Sequence, residues 1–514
     1  MPPHNQAAAA NALAKATPAP AGPGTPGHKG GMADNAAGSL KTEDITADIC
    51  VIGAGSGGLS VAAAAAAFGQ RVVLIEKHKM GGDCLNYGCV PSKAMIAAGK
   101  RAQAMRTADQ FGIMSVEPAI NHAAVHDHVH SVIAAIAPND SVERFTGLGV
   151  RVIQAAGKFI DKRTVMAGDH KITARRFVIA TGSSPVVPPI PGLDSVASFT
   201  NETIFNNGQK LDHLIVIGGG PIGLELAQAH RRLGSRVTVL EGMTALSKDD
   251  PELTAIVLKN LRAEGIDIRE GALVEKVEGS LGKISLTIKT ASGSEIVEGS
   301  HVLVAAGRKP NLGDLNLDAA KIKFDKRGIT VDKGLRTSNR RVFAIGDVAG
   351  GLQFTHVANY HAGIVIRRAL FRLPANVNNA IVPWVTFTEP ELAHVGMTEA
   401  QAREAKQQIN VLRWPYHEND RAQAERTIEG HVKVVTAKNG RILGATIAGE
   451  NAGELIQIWS LAVSQGLKAK AMAEFVSPYP TLGEINKRAA TRYFATAPAN
   501  PYVRRLIGFL AKFG

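Results

Sequence analysis

DICVIGAGSGG, residues 48–58, begins as a short apolar run and ends in closely spaced glycines. The apolar part predicts a buried strand, and the glycines predict a tight turn into the alanine-rich helix at 59–68. A second apolar run, 71–75, follows and is closed by an acid. Glycines at this spacing let a pyrophosphate approach the start of a helix, and an acid after the second strand can hold a ribose. The order of these features predicts a dinucleotide-binding site formed by Gly53, Gly55, Gly58 and Glu76.

The same pattern occurs again later in the chain. An apolar run at 214–217 leads into a second glycine turn, and the strand at 236–240 ends in Glu241. The glycines with the repeated spacing are Gly218, Gly220 and Gly223. Two such patterns predict two nucleotide ligands. Glu241 can accept hydrogen bonds from both hydroxyls of an unphosphorylated ribose and would repel a 2′-phosphate, and residues 242–244 contain no arginine, so NADH is favoured over NADPH.

Two of the chain's three cysteines lie in the run GGDCLNYGCVPSK at 81–93. A close pair beside glycine, proline and lysine, in a chain otherwise poor in sulfur, favours thiol chemistry over core packing. In a regular helix, positions five apart have Cα atoms roughly 8.6 Å apart, beyond the ~4.4–6.8 Å that a disulfide allows. We therefore expect an irregular helix here, caused by Gly88 and Pro91. Cys84 and Cys89 are the predicted reaction centre, although a structural bridge or two idle thiols remain alternatives.

These residues resemble the flavin-dependent pyridine nucleotide-disulfide oxidoreductases, the family of dihydrolipoamide dehydrogenase, glutathione reductase and mercuric reductase. The likeness runs from about Asp48 to about Phe494. Its further markers are ATGS at 180–183, GRKPN at 307–311 and FAIGD at 343–347. The resemblance implies an α/β fold with two Rossmann-like dinucleotide-binding domains, for FAD and NAD(P)H, and a C-terminal α+β dimerisation domain.

The expected domain boundaries follow from the resemblance and from composition. They are a disordered extension at 1–46, a first FAD-binding segment at 47–197, an NAD(P)H-binding domain at 198–312, a second FAD-binding segment at 313–380, an interface domain at 381–498 and a basic amphipathic tail at 499–514. The extension is rich in alanine, proline and glycine and nearly free of large apolar side chains, which predicts disorder. Within the first FAD-binding segment we expect a long helical stretch from Ser92 to about Asn139.

The resemblance also implies roles for individual residues. The first nucleotide site would hold FAD, with Glu76 on the adenosine ribose, Asp347 on the ribityl chain and Gly346 allowing close backbone approach. The second site would receive the nicotinamide nucleotide. Further cofactor-binding residues implied by the family markers are Thr181, Gly182 and Gly307.

At the reaction centre, Lys93 would lie beside the flavin and pair with Glu225, where a cation supports negative charge on the reduced ring. Cys89 would be the thiolate that exchanges electrons with the ring, and Cys84 would attack the substrate. Lys93 is thus expected both in catalysis and in cofactor binding.

One segment departs from the pattern of the family's disulfide reductases. Those enzymes carry a His-Pro followed by a glutamate near the C-terminus, whereas this chain reads SPYPTLGE at 477–484. Tyr479 replaces the histidine and Glu484 is retained. A phenol has a pKa near ~10, against ~6.5 for imidazole, so Tyr479 would be a poor proton acceptor at neutral pH.

Tyrosine at this position resembles the mercuric reductase branch. The vicinal cysteines that those enzymes carry near the C-terminus do not occur here, and residues 1–47 contain no cysteine. An alternative role for Tyr479 is packing against Glu484 and the neighbouring subunit. The resemblance implies that the partner subunit brings Tyr479 to the cysteines, so we expect a homodimer.

The predicted function is an NADH-dependent flavoprotein reductase whose Cys84–Cys89 pair passes electrons to a disulfide, a metal ion or another small acceptor. Dihydrolipoamide dehydrogenase activity is one alternative. A slow FAD- and NADH-binding redox sensor or scaffold is another.

Composition limits the remaining classes. The net charge is +13, but the basic residues are scattered without a stripe or interleaved aromatics, so nucleic acid is not expected as a partner. No apolar run reaches the ~18 residues of a membrane span, and sparse cysteine with one reactive pair favours a reducing cytoplasm. Cys50, inside the first strand, is interpreted as a buried apolar residue.

Two local features stay open. His122, His126, His128 and His130 crowd one short segment. Their spacing suits a metal, but no cysteine or acid completes an obvious ligand set, so we predict a solvated helix face and no metal site. The tail at 501–514 alternates basic and apolar residues, and peripheral membrane contact or packing within the dimer would each explain it.

Overall fold

The computed structural model describes residues 42–280 and 282–513. Most of the predicted disordered extension, residues 1–41, lies outside the described residues. Residues 43–46 belong to the first strand and not to the extension, because their backbone pairs with residues 170–173.

The first segment of the FAD-type domain is an α/β layer. In chain order its elements are β1 (Glu43–Ile52), α1 (Ser56–Ala67), β2 (Val72–Glu76), α2 (Gly82–Asn86), α3 (Cys89–Arg106), α4 (His122–Ile136), α5 (Val142–Gly147), β3 (Val150–Gln154), β4 (Gly157–Phe159), β5 (Thr164–Ala167), β6 (His170–Ile179) and β7 (Ser183–Pro185). The sheet order is β3-β2-β1-β6-β5-β4. Strands β3, β2, β1 and β6 run parallel, which places the carboxyl ends of β1 and β2 at one edge of the sheet.

The long helix expected from Ser92 to Asn139 is wrong. Helix α3 ends at Arg106, and α4 begins only at His122. Between them a short 3-10 turn closes on Gly112, whose φ of 75° is left-handed and ends the helical path.

The NAD(P)H-type domain repeats the architecture. Its elements are β8 (Ser198–Phe199), β9 (His213–Ile217), α6 (Pro221–Arg232), β10 (Arg236–Glu241), α7 (Pro251–Ala263), β11 (Asp267–Glu270), β12 (Leu273–Ser280), β13 (Lys283–Thr290), β14 (Gly293–Gly299) and β15 (His301–Val304). A parallel sheet has the order β11-β10-β9-β15-β8, and β12-β13-β14 form an antiparallel sheet beside it.

The chain then returns to the FAD-type domain. The elements are β16 (Arg308–Pro310), β17 (Phe324–Asp325), β18 (Gly328–Ile329), β19 (Val342–Ala344) and α8 (Thr355–Ala369). Strand β19 adds to β6 in the first sheet, and β16 pairs with β7. Helix α8 packs on α1, where Gly57 leaves room for Ala358.

The C-terminal domain is α+β. It contains β20 (Trp384–Thr386), β21 (Glu391–Gly396), α9 (Glu399–Glu404), β22 (Ile409–Pro415), α10 (Asp420–Glu425), β23 (His431–Ala437), β24 (Ile442–Gly449), α11 (Ala452–Ser464), α12 (Ala469–Glu474) and α13 (Glu484–Thr491), followed by α14 (Pro501–Leu510). The antiparallel sheet order is β20-β21-β24-β23-β22. The strands predicted at 432–435 and 443–447 are present as β23 and β24.

The two glycine turns have matching geometry. Gly53 has a φ of 103°, and a Cβ there would lie 2.4 Å from the carbonyl oxygen of Ala180. Gly218 has a φ of 115°, and a Cβ there would lie 2.5 Å from the carbonyl oxygen of Ala305. Each turn therefore needs glycine for backbone conformation and for close approach to a neighbouring strand end.

Candidate active site

The last glycine of each turn lets its helix pack on its strand. A Cβ on Gly58 would lie 1.9 Å from the carbonyl oxygen of Gly53, and a Cβ on Gly223 would lie 2.1 Å from that of Gly218. Gly58 and Gly223 were predicted to bind cofactor, and the structure gives them this packing role away from the cleft lining.

The middle glycine of each turn faces open space. A Cβ on Gly220 would meet no atom within 4 Å, and the nearest neighbour of a Cβ on Gly55 would be 4.0 Å away. Both glycines lie immediately before a helix N-terminus, where backbone N–H groups favour an anion. Both turns therefore fit a pyrophosphate group.

The predicted ribose-binding acids occupy equivalent positions. Glu76 Oε2 accepts a hydrogen bond from the backbone N–H of Ala54 at 2.6 Å. Glu241 Oε2 accepts one from the N–H of Gly219 at 2.7 Å. Each carboxylate is thereby fixed at the end of the second strand, beside the glycine turn.

One cleft of about 2130 Å³ contains both sites. It is lined by both glycine turns, by Glu76 and Glu241 and by the two cysteines between them. The other predicted residues that line it are Lys93, Thr181, Gly182, Glu225, Gly307, Gly346 and Asp347. Two nucleotide sites thus share one cavity with the thiol pair.

The cysteine pair lies across a helix break. Cys84 is in α2 and Cys89 is the first residue of α3, with Gly88 immediately before it. The expected irregularity is therefore present, and it brings the two thiols close enough for each to shift the pKa of the other. Cys84 is half-buried, Cys89 is exposed, and neither is in a disulfide.

The two thiols have opposite electrostatic environments. The neighbouring Cys84 thiol, a hydrogen bond from Thr355 and the charge of Lys93 lower the pKa of Cys89 to about 6. The same contact with Cys89, together with burial, raises the pKa of Cys84. Thr355 Oγ1 lies 3.3 Å from Cys89 Sγ. Cys89 is thus the group that ionises first, and Cys84 keeps its proton.

Thr355 is a residue that sequence reasoning missed. It follows Phe354 at the start of α8, in no motif that signals thiol chemistry. Its position beside Cys89 follows from the packing of α8 on α1, where Ser56 Oγ donates to the carbonyl oxygen of Thr355.

An ion pair joins two domains beside the thiols. Lys93 Nζ lies 2.7 Å from Glu225 Oε2, and the Glu225 side chain is only 7% exposed. The other carboxylate oxygen of Glu225 accepts a hydrogen bond from the N–H of Phe387 at 2.9 Å. Lys93 Nζ also lies 4.3 Å from the centroid of the Phe387 ring. The pairing implied by the resemblance is present, and the C-terminal domain holds it.

A second polar network connects the family markers. Arg308 Nε donates to Ser183 Oγ at 2.8 Å, and Ser183 Oγ donates to Asp347 Oδ2 at 2.6 Å. Arg308 also forms a 3.0 Å ion pair with Asp83, the residue before Cys84. Burial raises the pKa of Asp347. Ser183, Arg308 and Asp83 were not predicted as site residues.

Tyr479 and Glu484 lie outside the cleft of their own chain. Tyr479 is 67% exposed, and its hydroxyl donates to Asp420 Oδ2 at 2.7 Å. This carboxylate raises the pKa of Tyr479. Glu484 pairs with Arg488 at 2.8 Å and not with Tyr479. Asp420 had no sequence signal, because it is far from Tyr479 along the chain.

The histidine cluster lies on α4. The rings of His126 and His130 stack with centroids 4.0 Å apart, and His126 Nδ1 lies 3.1 Å from a carboxylate oxygen of Asp127. Within residues 42–280 and 282–513, no three side chains of ligand type are placed to hold one metal ion. None of the helices in these ranges is both long enough and apolar enough to cross a bilayer.

Two nucleotide folds, a dithiol between them and a separate C-terminal α+β domain define a class of two-cofactor dithiol oxidoreductases. Residues 47–362 match the family model described as pyridine nucleotide-disulphide oxidoreductase, and residues 382–490 match the dimerisation domain of that family. The chain belongs to the pyridine nucleotide-disulphide oxidoreductases. FAD and NAD(H) are the cofactors of this family, and the dimerisation domain supports a homodimer.

Similar curated proteins carry two different names. A mercuric reductase of Bacillus cereus is 36% identical over 451 residues, which cover 87% of this chain and 71% of that protein. A dihydrolipoyl dehydrogenase of Geobacillus stearothermophilus is 35% identical over 455 residues, covering 87% and 96%. The family is thereby established, but the similarity does not separate the two activities.

Solved structures agree with the fold. The HOCl-induced flavoprotein disulfide reductase RclA from Escherichia coli superposes with a TM-score of 0.78 at 27% identity, covering 86% of this chain and 99% of that one. LpdA from Mycobacterium tuberculosis gives a TM-score of 0.80 at 26% identity, covering 87% and 99%. The predicted fold class is confirmed.

Proposed function

We propose that this protein is an NADH-dependent flavoprotein reductase in which the Cys84–Cys89 pair passes electrons to a thiophilic metal ion. The observation that carries the proposal is the position of Cys84 and Cys89, on either side of a helix break, in one cleft lined by both glycine turns. The lowered pKa of Cys89 agrees with this placement. Bound FAD supplies two-electron chemistry between the nicotinamide and the thiols.

The chain's own residues divide the remaining work. Glu225 holds Lys93 in place, and Lys93 offers a fixed cation where negative charge develops. Thr355 and Lys93 stabilise the Cys89 thiolate. Cys84 keeps its proton until it engages the acceptor.

The raised pKa of Tyr479 favours a metal ion as electron acceptor over a dithiol as electron donor. Oxidation of a dithiol requires a base that removes a proton near neutral pH. Asp420 raises the pKa of Tyr479 further from that range. A thiophilic ion binds thiolates and, on coordination, displaces the proton of Cys84 to solvent, so it needs no such base. Similarity to proteins named mercuric reductase also supports this acceptor.

The dimer completes the proposed site. Tyr479 is exposed on the family's dimerisation domain, so the partner subunit's Tyr479 is available to cover the cysteines. We propose NADH as the donor because Glu241 presents a carboxylate, and no arginine occurs at 242–244.

Anaerobic titration of the purified holoenzyme with NADH tests the electron path. We expect a long-wavelength thiolate-to-flavin band that is lost in Cys89→Ser and kept in Cys84→Ser. Cys50→Ala is the matched control, because Cys50 is fully buried in β1. A band that survives Cys89→Ser would refute the assignment of the thiolate.

Steady-state assays with NADH or NADPH and with Hg(II), Cu(II), small disulfides or lipoamide test the acceptor. We expect sustained NADH oxidation with thiol-bound Hg(II), lost when either Cys84 or Cys89 is replaced. Rapid dihydrolipoamide-dependent NAD⁺ reduction at neutral pH would instead favour the dihydrolipoyl dehydrogenase relatives. Flavin bleaching without turnover on any acceptor would favour a redox sensor.

A further inference from the structure

Helix α14 lies beyond the part of the chain that the family explains. The match to the dimerisation domain ends at residue 490, and α14 spans Pro501–Leu510. Every residue from 501 to 513 is exposed except Val503, which is half-buried. The helix packs on the short turn Ala497–Ala499 that precedes it and leaves the rest of its surface exposed.

The helix has two chemically distinct faces. Apart from Val503, its apolar side chains are more than half exposed: Tyr502 79%, Leu506 57%, Ile507 60%, Phe509 55% and Leu510 54%, with Phe513 at 73% just beyond the helix. At about 100° per residue, the apolar positions of the helix occupy one arc of roughly 160°. Arg504 and Arg505 lie on the opposite side. This arrangement is typical of a helix that lies in a membrane interface.

The positive charge of this segment favours an anionic lipid surface over a second copy of the helix as the partner of the apolar face. Residues 491–513 contain no aspartate or glutamate, whereas Arg492, Arg504, Arg505 and Lys512 are cationic. Packing against the same helix of a second copy would bring like charges together. An anionic lipid surface is complementary to these cations and also accepts the apolar side chains.

We propose that α14 docks this protein on membranes that contain anionic lipids. The apolar face enters the boundary between headgroups and acyl chains, and the arginines contact lipid phosphates. The proposal concerns the location of the enzyme and does not depend on which acceptor the cysteines reduce.

Cosedimentation of the purified holoenzyme with vesicles tests the proposal. We expect binding to vesicles of phosphatidylcholine with phosphatidylglycerol, weaker binding at high salt and little binding to phosphatidylcholine alone. Replacing Arg504 and Arg505 by glutamine should lower the partition coefficient by roughly 30-fold, since each cation near an anionic surface contributes about one kcal/mol. Deletion of 501–514 should abolish binding.

Matched variants make the result specific. Leu506→Ser with Phe509→Ser removes apolar area from the docking face and should abolish binding. Ile296→Ser is the control, because Ile296 is 70% exposed on the distant strand β14 and should leave binding unchanged. Retained flavin and unchanged NADH oxidation show that the variants are folded.

Two outcomes would overturn the proposal. One is intact holoenzyme that stays in the supernatant with anionic vesicles. The other is equal binding by the intact and the 501–514-deleted protein. Sedimentation velocity tests whether a second subunit covers α14 instead. If deletion of 501–514 dissociates the dimer and the intact protein does not bind vesicles, α14 lies in the subunit interface.

Discussion

Lys93 Nζ and Glu225 Oε2 lie 2.7 Å apart, and this contact joins the FAD-type domain to the NAD(P)H-type domain at the thiol pair. The C-terminal domain takes part through the N–H of Phe387, which donates to the same carboxylate. The orientation of the lysine is therefore set by three domains together.

Glu225→Gln should slow flavin reduction by NADH. The amide can still accept the hydrogen bond from Phe387, but it no longer fixes the lysine by charge. We expect a loss of roughly tenfold, since about 1.4 kcal/mol of electrostatic support corresponds to that factor. Anaerobic stopped-flow absorbance measures the rate. Glu278→Gln, also on the NAD(P)H-type domain but paired with Lys276 on the surface, is the control and should leave the rate unchanged.

The reactivity of Cys89 should follow its lowered pKa. Because its pKa is about 6, the thiolate is present above that pH and is lost as the pH falls through it. Iodoacetamide labelling of the reduced enzyme, followed by peptide mass spectrometry, should give a midpoint near pH 6 for Cys89 and a higher one for Cys84. A midpoint for Cys89 near ~8.5, the value of a free cysteine, would contradict the electrostatic account.

Thr355→Val should raise the midpoint of Cys89 by about one pH unit, because the variant loses a hydrogen bond to the charged sulfur. Thr355→Ser keeps the hydroxyl and is the matched control. The same labelling experiment measures both variants. Identical midpoints for valine and serine would show that Thr355 only packs against the thiol.

Lys433→Met should destabilise the contact between the NAD(P)H-type domain and the C-terminal sheet. Lys433 is 5% exposed, and its Nζ lies 2.8 Å from Asp250, 2.8 Å from Glu252 and 2.9 Å from Glu399. Removing the cation takes from the buried Asp250, which is 3% exposed, its ion-pair partner, whereas Glu252 and Glu399 keep Arg413. An uncompensated buried carboxylate costs about 3–5 kcal/mol.

Urea unfolding followed by fluorescence tests this loss in the free energy of unfolding. Lys276→Met is the control, since Lys276 is 53% exposed and its pair with Glu278 is on the surface. The control should change the free energy by less than about 0.5 kcal/mol. Equal losses in the free energy of unfolding for the two variants would show that the buried ion pairs of Lys433 stabilise the protein no more than a surface pair does.

Tyr479→His should increase activity with lipoamide at neutral pH. An imidazole has a pKa near ~6.5 and can accept the proton that a phenol cannot. We expect a gain of roughly tenfold or more in dihydrolipoamide-dependent NADH formation. Tyr502→His changes a tyrosine that is also exposed but outside the dimerisation domain, and it should give no gain. No change, or a fall, in Tyr479→His would refute the account of the missing base.

The nucleotide sites could be predicted from sequence because their determinants are local. Gly53 and Glu76 belong to one strand-turn-helix-strand unit, and Gly218 and Glu241 repeat it. Steric exclusion of a Cβ at these turns leaves few residue types, so the pattern is visible in the chain itself.

The supporting contacts could not be predicted in this way. Arg308 reaches Ser183 and Asp83 from another segment of the FAD-type domain, and Thr355 reaches Cys89 through helix packing. Such contacts depend on how distant elements pack. The expected long helix was wrong for a local reason instead: α3 ends at Arg106, and the 3-10 turn that follows it closes on the left-handed Gly112.

The hydrogen bond from the N–H of Phe387 to Glu225 limits how this enzyme can be engineered. A chimera that takes its nicotinamide-binding domain from a relative would also need a C-terminal domain with a backbone N–H in the place of Phe387. Exchange of residues 198–312 alone would transfer the coenzyme preference. It would also leave Lys93 misaligned, because the new glutamate would lack a matching N–H at Phe387. Swaps that carry the segment around Phe387 with the module should retain the electron path.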